Sequence, residues 1–273
     1  KDRLRTYLTT GNFNNGGFTN PESLNTYMSR LSYQAGLENQ VILDLLEYRF
    51  PIVNDKVVVS VIPAGFSLSN VLSANSPYFD TGRGSISNFG EQSPIFKLGG
   101  VLDAGVGFDW LIAKPLRLQV AYGTSDSSNP NGGFLGADRS AIAAQLLLQA
   151  SDNIVTGLTY VNAYTSDGRL GTFTGSVNAE STGLWSQAIL PNPFISNSPD
   201  SPIPDVSSGS RELDDLAGQT NAVGATLSWR LTDKLTFGAW GGMMFTEFLD
   251  ELPEFSVAVS PDGPLPGGPQ RSP

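Results

Sequence analysis

The chain has 273 residues and a formal charge of −10, from 16 basic and 26 acidic residues, with neither cysteine nor histidine. The missing cysteines exclude disulfides, zinc–thiolate sites and thiol nucleophiles, and the missing histidines exclude the usual triads and the commonest general base. The acidic balance provides no basic stripe for nucleic acid, and no run of about 18 apolar residues provides a transmembrane helix, although membrane-crossing strands escape that test.

Period-two alternation predicts about nine long strands. The first covers Asp2–Asn12, with Leu4, Thr6, Leu8 and Thr10 on one face and Arg5, Tyr7 and Thr9 on the other. The second covers Val41–Ile52, with Leu46, Tyr48, Phe50 and Ile52 opposite Glu47 and Arg49. A turn at Asn54-Asp55 leads to Val57, Val59 and Val61. Further on, Leu102, Ala104, Val106, Phe108, Trp110 and Ile112 face one way, and Asp103, Gly105, Gly107 and Asp109 the other. After a turn at Lys114-Pro115, Leu116, Leu118, Val120 and Tyr122 alternate with Arg117, Gln119 and Gly123. The next hairpin turns at Ser151-Asp152-Asn153. It sets Ile142, Ala144, Leu146 and Leu148 against Gln145 and Gln149, and returns through Ile154, Thr156, Leu158 and Tyr160. The last turns at Thr232-Asp233-Lys234. There Val223, Ala225, Leu227, Trp229 and Leu231 alternate with Gly224, Thr226, Ser228 and Arg230, and Leu235, Phe237, Ala239, Met243 and Phe245 return. From about Asp250, Pro261-Asp262-Gly263-Pro264 and Pro266-Gly267-Gly268-Pro269 cannot continue a ladder, so 250–273 is expected to be a disordered tail.

Between these strands, tight turns alternate with long connections at Phe13–Asn39, Phe66–Lys97, Ser125–Arg139 and Ser166–Gln219. Antiparallel strands then bring every tight turn to one rim and every long loop to the other, as in outer-membrane barrels. Tyr27–Tyr33 resembles a short strand; keeping the alternation makes it a local hairpin inside the first loop. The expected fold is all-β, with residues 1–249 forming part of an antiparallel transmembrane β-barrel. About nine strands cannot close the even-stranded barrel of a bacterial single-chain protein. Open edges in lipid cost on the order of several kcal/mol per unpaired group. The chain therefore reads as a stretch of a larger even-stranded barrel and alone should not conduct. Lys1-Asp2-Arg3-Leu4 is no signal peptide, so an exported protein is expected to begin before this sequence or to have lost its signal.

One face of each strand is small or polar. Its charged and amide members, Arg5, Glu47, Arg49, Asp103, Asp109, Arg117, Gln119, Gln145 and Arg230, are the pore-lining candidates. Rings of such charges tune ion preference, or they pair across strands to hold the wall. The face as a whole is read as too small and polar for a dry core, suiting a water-filled lumen. The opposite face carries Tyr48, Phe50, Phe108, Trp110, Tyr160, Trp229 and Phe237, which fit aromatic girdles or, in a soluble fold, a core. Loop Phe66–Lys97 mixes Phe66, Leu68, Val71 and Leu72 with Tyr78, Phe79, Arg83, Phe89 and Glu91, the constriction candidates. It either folds inward onto the wall or caps the mouth from outside.

Leu45-Leu46-Glu47-Tyr48-Arg49-Phe50-Pro51, Asn75-Ser76-Pro77-Tyr78-Phe79, Ser87-Asn88-Phe89-Gly90 and Ser93-Pro94-Ile95-Phe96 resemble segments of cyanobacterial outer-membrane porins. So do Gly157-Leu158-Thr159-Tyr160-Val161-Asn162-Ala163-Tyr164 and Leu235-Thr236-Phe237-Gly238-Ala239-Trp240. These are the iron uptake porins of the wider carbohydrate-selective (OprB-like) family. The resemblance implies a larger, trimeric outer-membrane barrel that passes small solutes and inorganic ions, iron included, without energy input; no cofactor and no nucleic-acid partner are expected. It also implies an amino-terminal surface-layer-homology domain and a final aromatic strand, neither of which this sequence contains; Glu91 and Gln92 stand where the family has arginines.

The expected function is passive diffusion through a wet lumen in the outer-membrane bilayer, with no enzymatic step. A soluble β-sandwich or solenoid that binds glycans is the alternative. An acid–base pair such as Asp103 and Asp109 would sit about 20 Å apart along a strand, beyond the roughly 5–9.5 Å that glycoside hydrolysis uses. Glu212, Asp214 and Asp215 read as a solvated run rather than a metal site.

Overall fold

The computed structural model describes residues 1–13, 31–32, 35–79, 84–130, 132–174 and 217–249. Strand β1 (Arg3–Thr9) is followed by a two-residue ladder of β2 (Asn12–Phe13) with β3 (Ala35–Gly36). Then come β4 (Ile42–Ile52), β5 (Val57–Ala64), β6 (Ala104–Ala113), β7 (Leu116–Thr124), β8 (Arg139–Ser151), β9 (Ile154–Thr165), β10 (Gly218–Thr232) and β11 (Leu235–Phe248). All but β2 and β3 form one nine-stranded sheet in chain order, every neighbouring pair antiparallel. The chain is all-β, as its alternation predicts. Among the described residues the sheet is open: β1 pairs only with β4, and β11 only with β10.

The first two strands each begin one residue later than the sequence reading places them, at Arg3 and Ile42, and two larger differences follow. The first strand stops at Thr9 rather than Asn12, because Asn12 and Phe13 pair with Ala35 and Gly36 instead. Leu102 and Asp103 precede β6 and are not part of it; Leu102 turns into the core rather than outward. The short turns fall at residues 53–56, 114–115, 152–153 and 233–234, and long connections join the other ends of the strands. The proposed hairpin at Tyr27–Tyr33 lies outside the described residues except for Leu31 and Ser32, of which Leu31 bridges to Ser87. The tail from Asp250 and the run Glu212, Asp214 and Asp215 also lie outside them.

The two faces of the sheet have different environments. Trp110, Leu118, Leu146 and Leu158 occupy one row across β6–β9. Trp110, Leu146 and Trp229 are 42%, 43% and 41% exposed, and Phe108 and Leu118 are half-buried. Leu4, Val61, Val223, Phe237 and Phe245 are exposed as well. Among the described residues, Phe134 of the connection after β7 packs edge-on against Tyr122 at the long-loop end of this face, and the row from Trp110 to Leu158 is left uncovered.

The opposite face holds the core. Between β5 and β6 the described residues of 65–103 form an insert with a short helix, α1 (Leu68–Val71), and 3-10 turns at Asn88–Gly90 and Pro94–Lys97. Gly65 starts it with φ +72°, where a Cβ would lie 1.7 Å from the Asp44 carbonyl oxygen. Phe66, Leu68, Val71, Leu72, Ile95, Phe96, Leu98 and Leu102 of the insert pack on Leu45, Ile62, Ala121, Ala141, Ala143, Val161, Ala163 and Ala222 of the wall. Of the two placements open from sequence, the loop takes the inward one.

This corrects the expectation of a uniformly wet inner face. The row Ile62, Gly105, Gly123, Ala141 and Ala163 and the next row, Gly107, Ala121, Ala143, Val161 and Ala222, form a bed of small residues. Small side chains here admit the insert rather than water. Phe66 lies over Gly105 and Gly123 so closely that a Cβ on either would come within 2.1–2.3 Å of its ring. Val71 approaches Gly107, and Ile95 approaches Gly224, in the same way.

Candidate functional site

Below the apolar bed, toward the short turns, the inner face becomes polar. The register aligns Asp109, Gln119, Gln145 and Thr159 in a single row across β6–β9. Strand alternation alone puts each of these on the inner face; the antiparallel register then makes them neighbours. The insert crosses just above this row. Between its segment 69–74 and strands β4–β7 lies a cleft of about 410 Å³. Arg49, Ser60, Asp109, Arg117 and Gln119 line it from the wall, and Ser69, Asn70, Ser73 and Phe79 from the insert.

Two charge groups border the cleft. Glu47, only 1% exposed, is shared between Arg5 Nε at 2.8 Å and Arg49 Nε at 2.9 Å. Arg49 also donates to Ser60 Oγ at 3.0 Å and, through Nη2, to the carbonyl of Asn70 in the insert. Arg5 and Glu47 are paired residues of β1 and β4, so the carboxylate ties the edge strand to its neighbour. In the second group, Arg117 binds Asp109 with two hydrogen bonds, Nε to Oδ1 at 2.9 Å and Nη2 to Oδ2 at 2.6 Å. Gln119 Nε2 donates to the same carboxylate at 2.8 Å. The Arg117 side chain is 45% exposed, and exposed pairs contribute at most about 1 kcal/mol. The Glu47 pairs are more enclosed, so removing the carboxylate would leave two guanidinium groups without their partner. Three arginines against two carboxylates leave the cleft border with one net positive charge in a chain of −10.

Seven of the nine pore-lining candidates lie on the inner face within the sheet: Arg5, Glu47, Arg49, Asp109, Arg117, Gln119 and Gln145. Arg230 has the same strand parity but lies at the rim, and Asp103 lies outside the ladder. Asp103 is exposed just before β6, and its backbone binds Phe66 N–H and the Thr124 carbonyl. Arg230 sits at the short-turn rim, donating to Asn153 Oδ1 at 3.0 Å and the Asp152 carbonyl at 3.3 Å, and so staples two hairpins. Among the constriction candidates, Tyr78, Phe79 and Phe89 are all exposed, and Phe79 borders the cleft. Glu91 is buried against Lys97 Nζ at 3.3 Å, and Arg83 lies outside the described residues.

The sequence reading overlooked the insert's own polar contacts. Ser73 meets both Gln119 and Gln145, and Asn75 Nδ2 donates to Thr226 Oγ1 at 3.0 Å. The signal is faint: Ser73 and Asn75 alternate with Leu72 and Ala74 over only four residues. Among the described residues, no group of three acidic side chains is placed to hold a metal ion, and no helix is long and apolar enough to cross a membrane.

The chain is 31% identical over 181 residues to an uncharacterized protein of Synechocystis sp., an alignment covering 64% of this chain and 31% of that protein. It is also 31% identical over 181 residues to an uncharacterized protein of Nostoc sp., covering 60% of this chain and 31% of that protein. The chain thus spans about a third of the length of these curated relatives. No protein-family model and no solved structure matches it.

Proposed function

We propose that this sheet is a stretch of the wall of an outer-membrane pore, a porin of the kind the sequence resembles, passing small hydrophilic solutes and inorganic ions by passive diffusion. One observation carries the reading. The face with the large apolar side chains is bare, while the face with Gly, Ala, Thr, Gln and paired charges holds the folded insert. A water-soluble sandwich buries its large apolar face against a second sheet. Bare, contiguous apolar surface of this kind calls for a lipid or protein cover, and strands that alternate apolar-out and polar-in suit lipid. Short turns on one rim and long connections on the other support the same reading.

In this account the cleft beside Arg49, Asp109 and Arg117 belongs to the aqueous passage, and the insert narrows it. Closure comes from further strands against the free edges of β1 and β11, since unpaired edges are not tolerated in lipid. The trimeric assembly and the outer-membrane location that the resemblance implies belong to the same proposal. So does the range of solutes, sugars and iron among them.

Single-channel recording in planar bilayers tests it. The full-length protein should give discrete conductance steps, and its absence of steps would remove the transport reading. The nine-stranded chain on its own should be silent. Arg117→Ser should move the reversal potential in a salt gradient toward cation preference, because it leaves Asp109 uncompensated in the cleft. Arg230→Ser should move it much less, since Arg230 is held at the rim by Asn153. Equal shifts from the two variants would contradict the assignment of the passage to the cleft.

A further inference from the structure

The peptide of Ser73 is gripped from two adjacent strands. Its N–H donates to Gln119 Oε1 at 2.9 Å and to Gln145 Oε1 at 2.8 Å. Its carbonyl accepts from Gln145 Nε2 at 3.0 Å, and its hydroxyl from Gln119 Nε2 at 3.2 Å. The remaining amide protons are also used: Gln119 Nε2 reaches Asp109 Oδ2 at 2.8 Å, and Gln145 Nε2 reaches Thr159 Oγ1 at 2.9 Å. With both protons of each amide engaged, neither side chain can flip without turning a donor toward the Ser73 N–H. Both glutamines are buried, at 2% and 0% exposure.

Their position explains why they are glutamines. In the two rows above, the wall presents glycine and alanine, and the insert touches it directly. At the third row the wall presents two long side chains, directly opposite one another in register. The insert there stands off by the length of a glutamine, and the cleft opens beside that gap. Leucines of similar size at both positions would fill the space but leave the Ser73 N–H without either of these acceptors.

We propose that Gln119 and Gln145 are the positioning residues of the cleft: acting through Ser73, they hold the insert at a fixed clearance from Asp109 and Arg117. The passage is then a set aperture rather than a moving gate. The latch is a property of the fold; its role as an aperture rests on the pore reading above.

Hydrogen exchange of the full chain, folded in detergent micelles, tests the latch without requiring conduction. Each of Gln119→Ala and Gln145→Ala should speed exchange across residues 68–75 about tenfold, with β8 and β9 unchanged. Asn75→Ala, which removes a contact outside the latch, should leave residues 68–73 protected. Unaltered protection of 68–75 in the double glutamine variant would overturn the proposal. So would equal loosening of β8 and β9, which would make the glutamines wall residues only. In bilayers, the full-length double variant should admit larger polymers than its parent, and Gln145→Asn, which keeps an amide, should restore part of the exclusion. A change in conductance with an unchanged polymer cutoff would overturn the aperture role. A parent that never conducts would sink the pore reading and the aperture with it, while the exchange data would still decide the latch.

Discussion

Phe66→Ala will release the insert from the wall, at a cost of about 3–5 kcal/mol. The ring is buried over Gly105 and Gly123, and neither residue beneath it has a side chain to fill the space it would vacate. The measurement is denaturant unfolding in detergent, followed by protease cleavage within residues 66–98. Gly123→Val should give the same phenotype from the other side, since its Cβ would lie 2.1 Å from the ring. The two losses should not add in the double variant, because both break one contact. Full additivity would mean that Phe66 and Gly123 stabilise the protein through separate interactions.

Leu146→Arg will prevent or weaken insertion into vesicles, by about 2–4 kcal/mol if the site lies near the bilayer midplane. Leu146 sits between Leu118 and Leu158 in the middle of the bare apolar row. For a water-soluble sheet the prediction is the opposite. An exposed leucine replaced by arginine on a solvated surface usually changes stability by less than about 0.5 kcal/mol. Folding into vesicles across a denaturant series separates the two outcomes. Gln149→Arg is the matched control, since Gln149 lies near the short-turn rim, on the other face by strand parity.

The strands were legible because their alternation is sustained and large apolar residues recur every second position. Val106, Trp110, Leu146, Leu158 and Trp229 all lie on the face assigned to them, and all are exposed. The tight turns were legible from Asn54-Asp55, Lys114-Pro115 and Asp152-Asn153, each bounded by alternating runs. What escaped was the meaning of the small residues. Gly105, Gly123 and Ala141 signal either water or close approach of another segment, and only the seated Phe66 distinguishes the two. Asp103 and Leu102 were misassigned because alternation continues past the point where the ladder begins, and hydrogen bonding rather than pattern sets the strand end. The Ser73 latch needed the register: Gln119 and Gln145 are 26 positions apart by number, and nothing local announces that they face one another.

The most direct test is which face of the sheet meets hydrocarbon. Trp229 and Trp240 lie on neighbouring strands but on opposite faces: Trp229 pairs with Phe237, and Trp240 pairs with the inward Thr226. Variants retaining a single tryptophan, the others changed to phenylalanine, can be folded into vesicles containing brominated lipid. Fluorescence of Trp229 and of Trp110 should be strongly quenched, and that of Trp240 should not. Quenching of Trp240 with Trp110 and Trp229 unaffected, or no quenching of any of the three, would contradict a lipid-facing apolar surface.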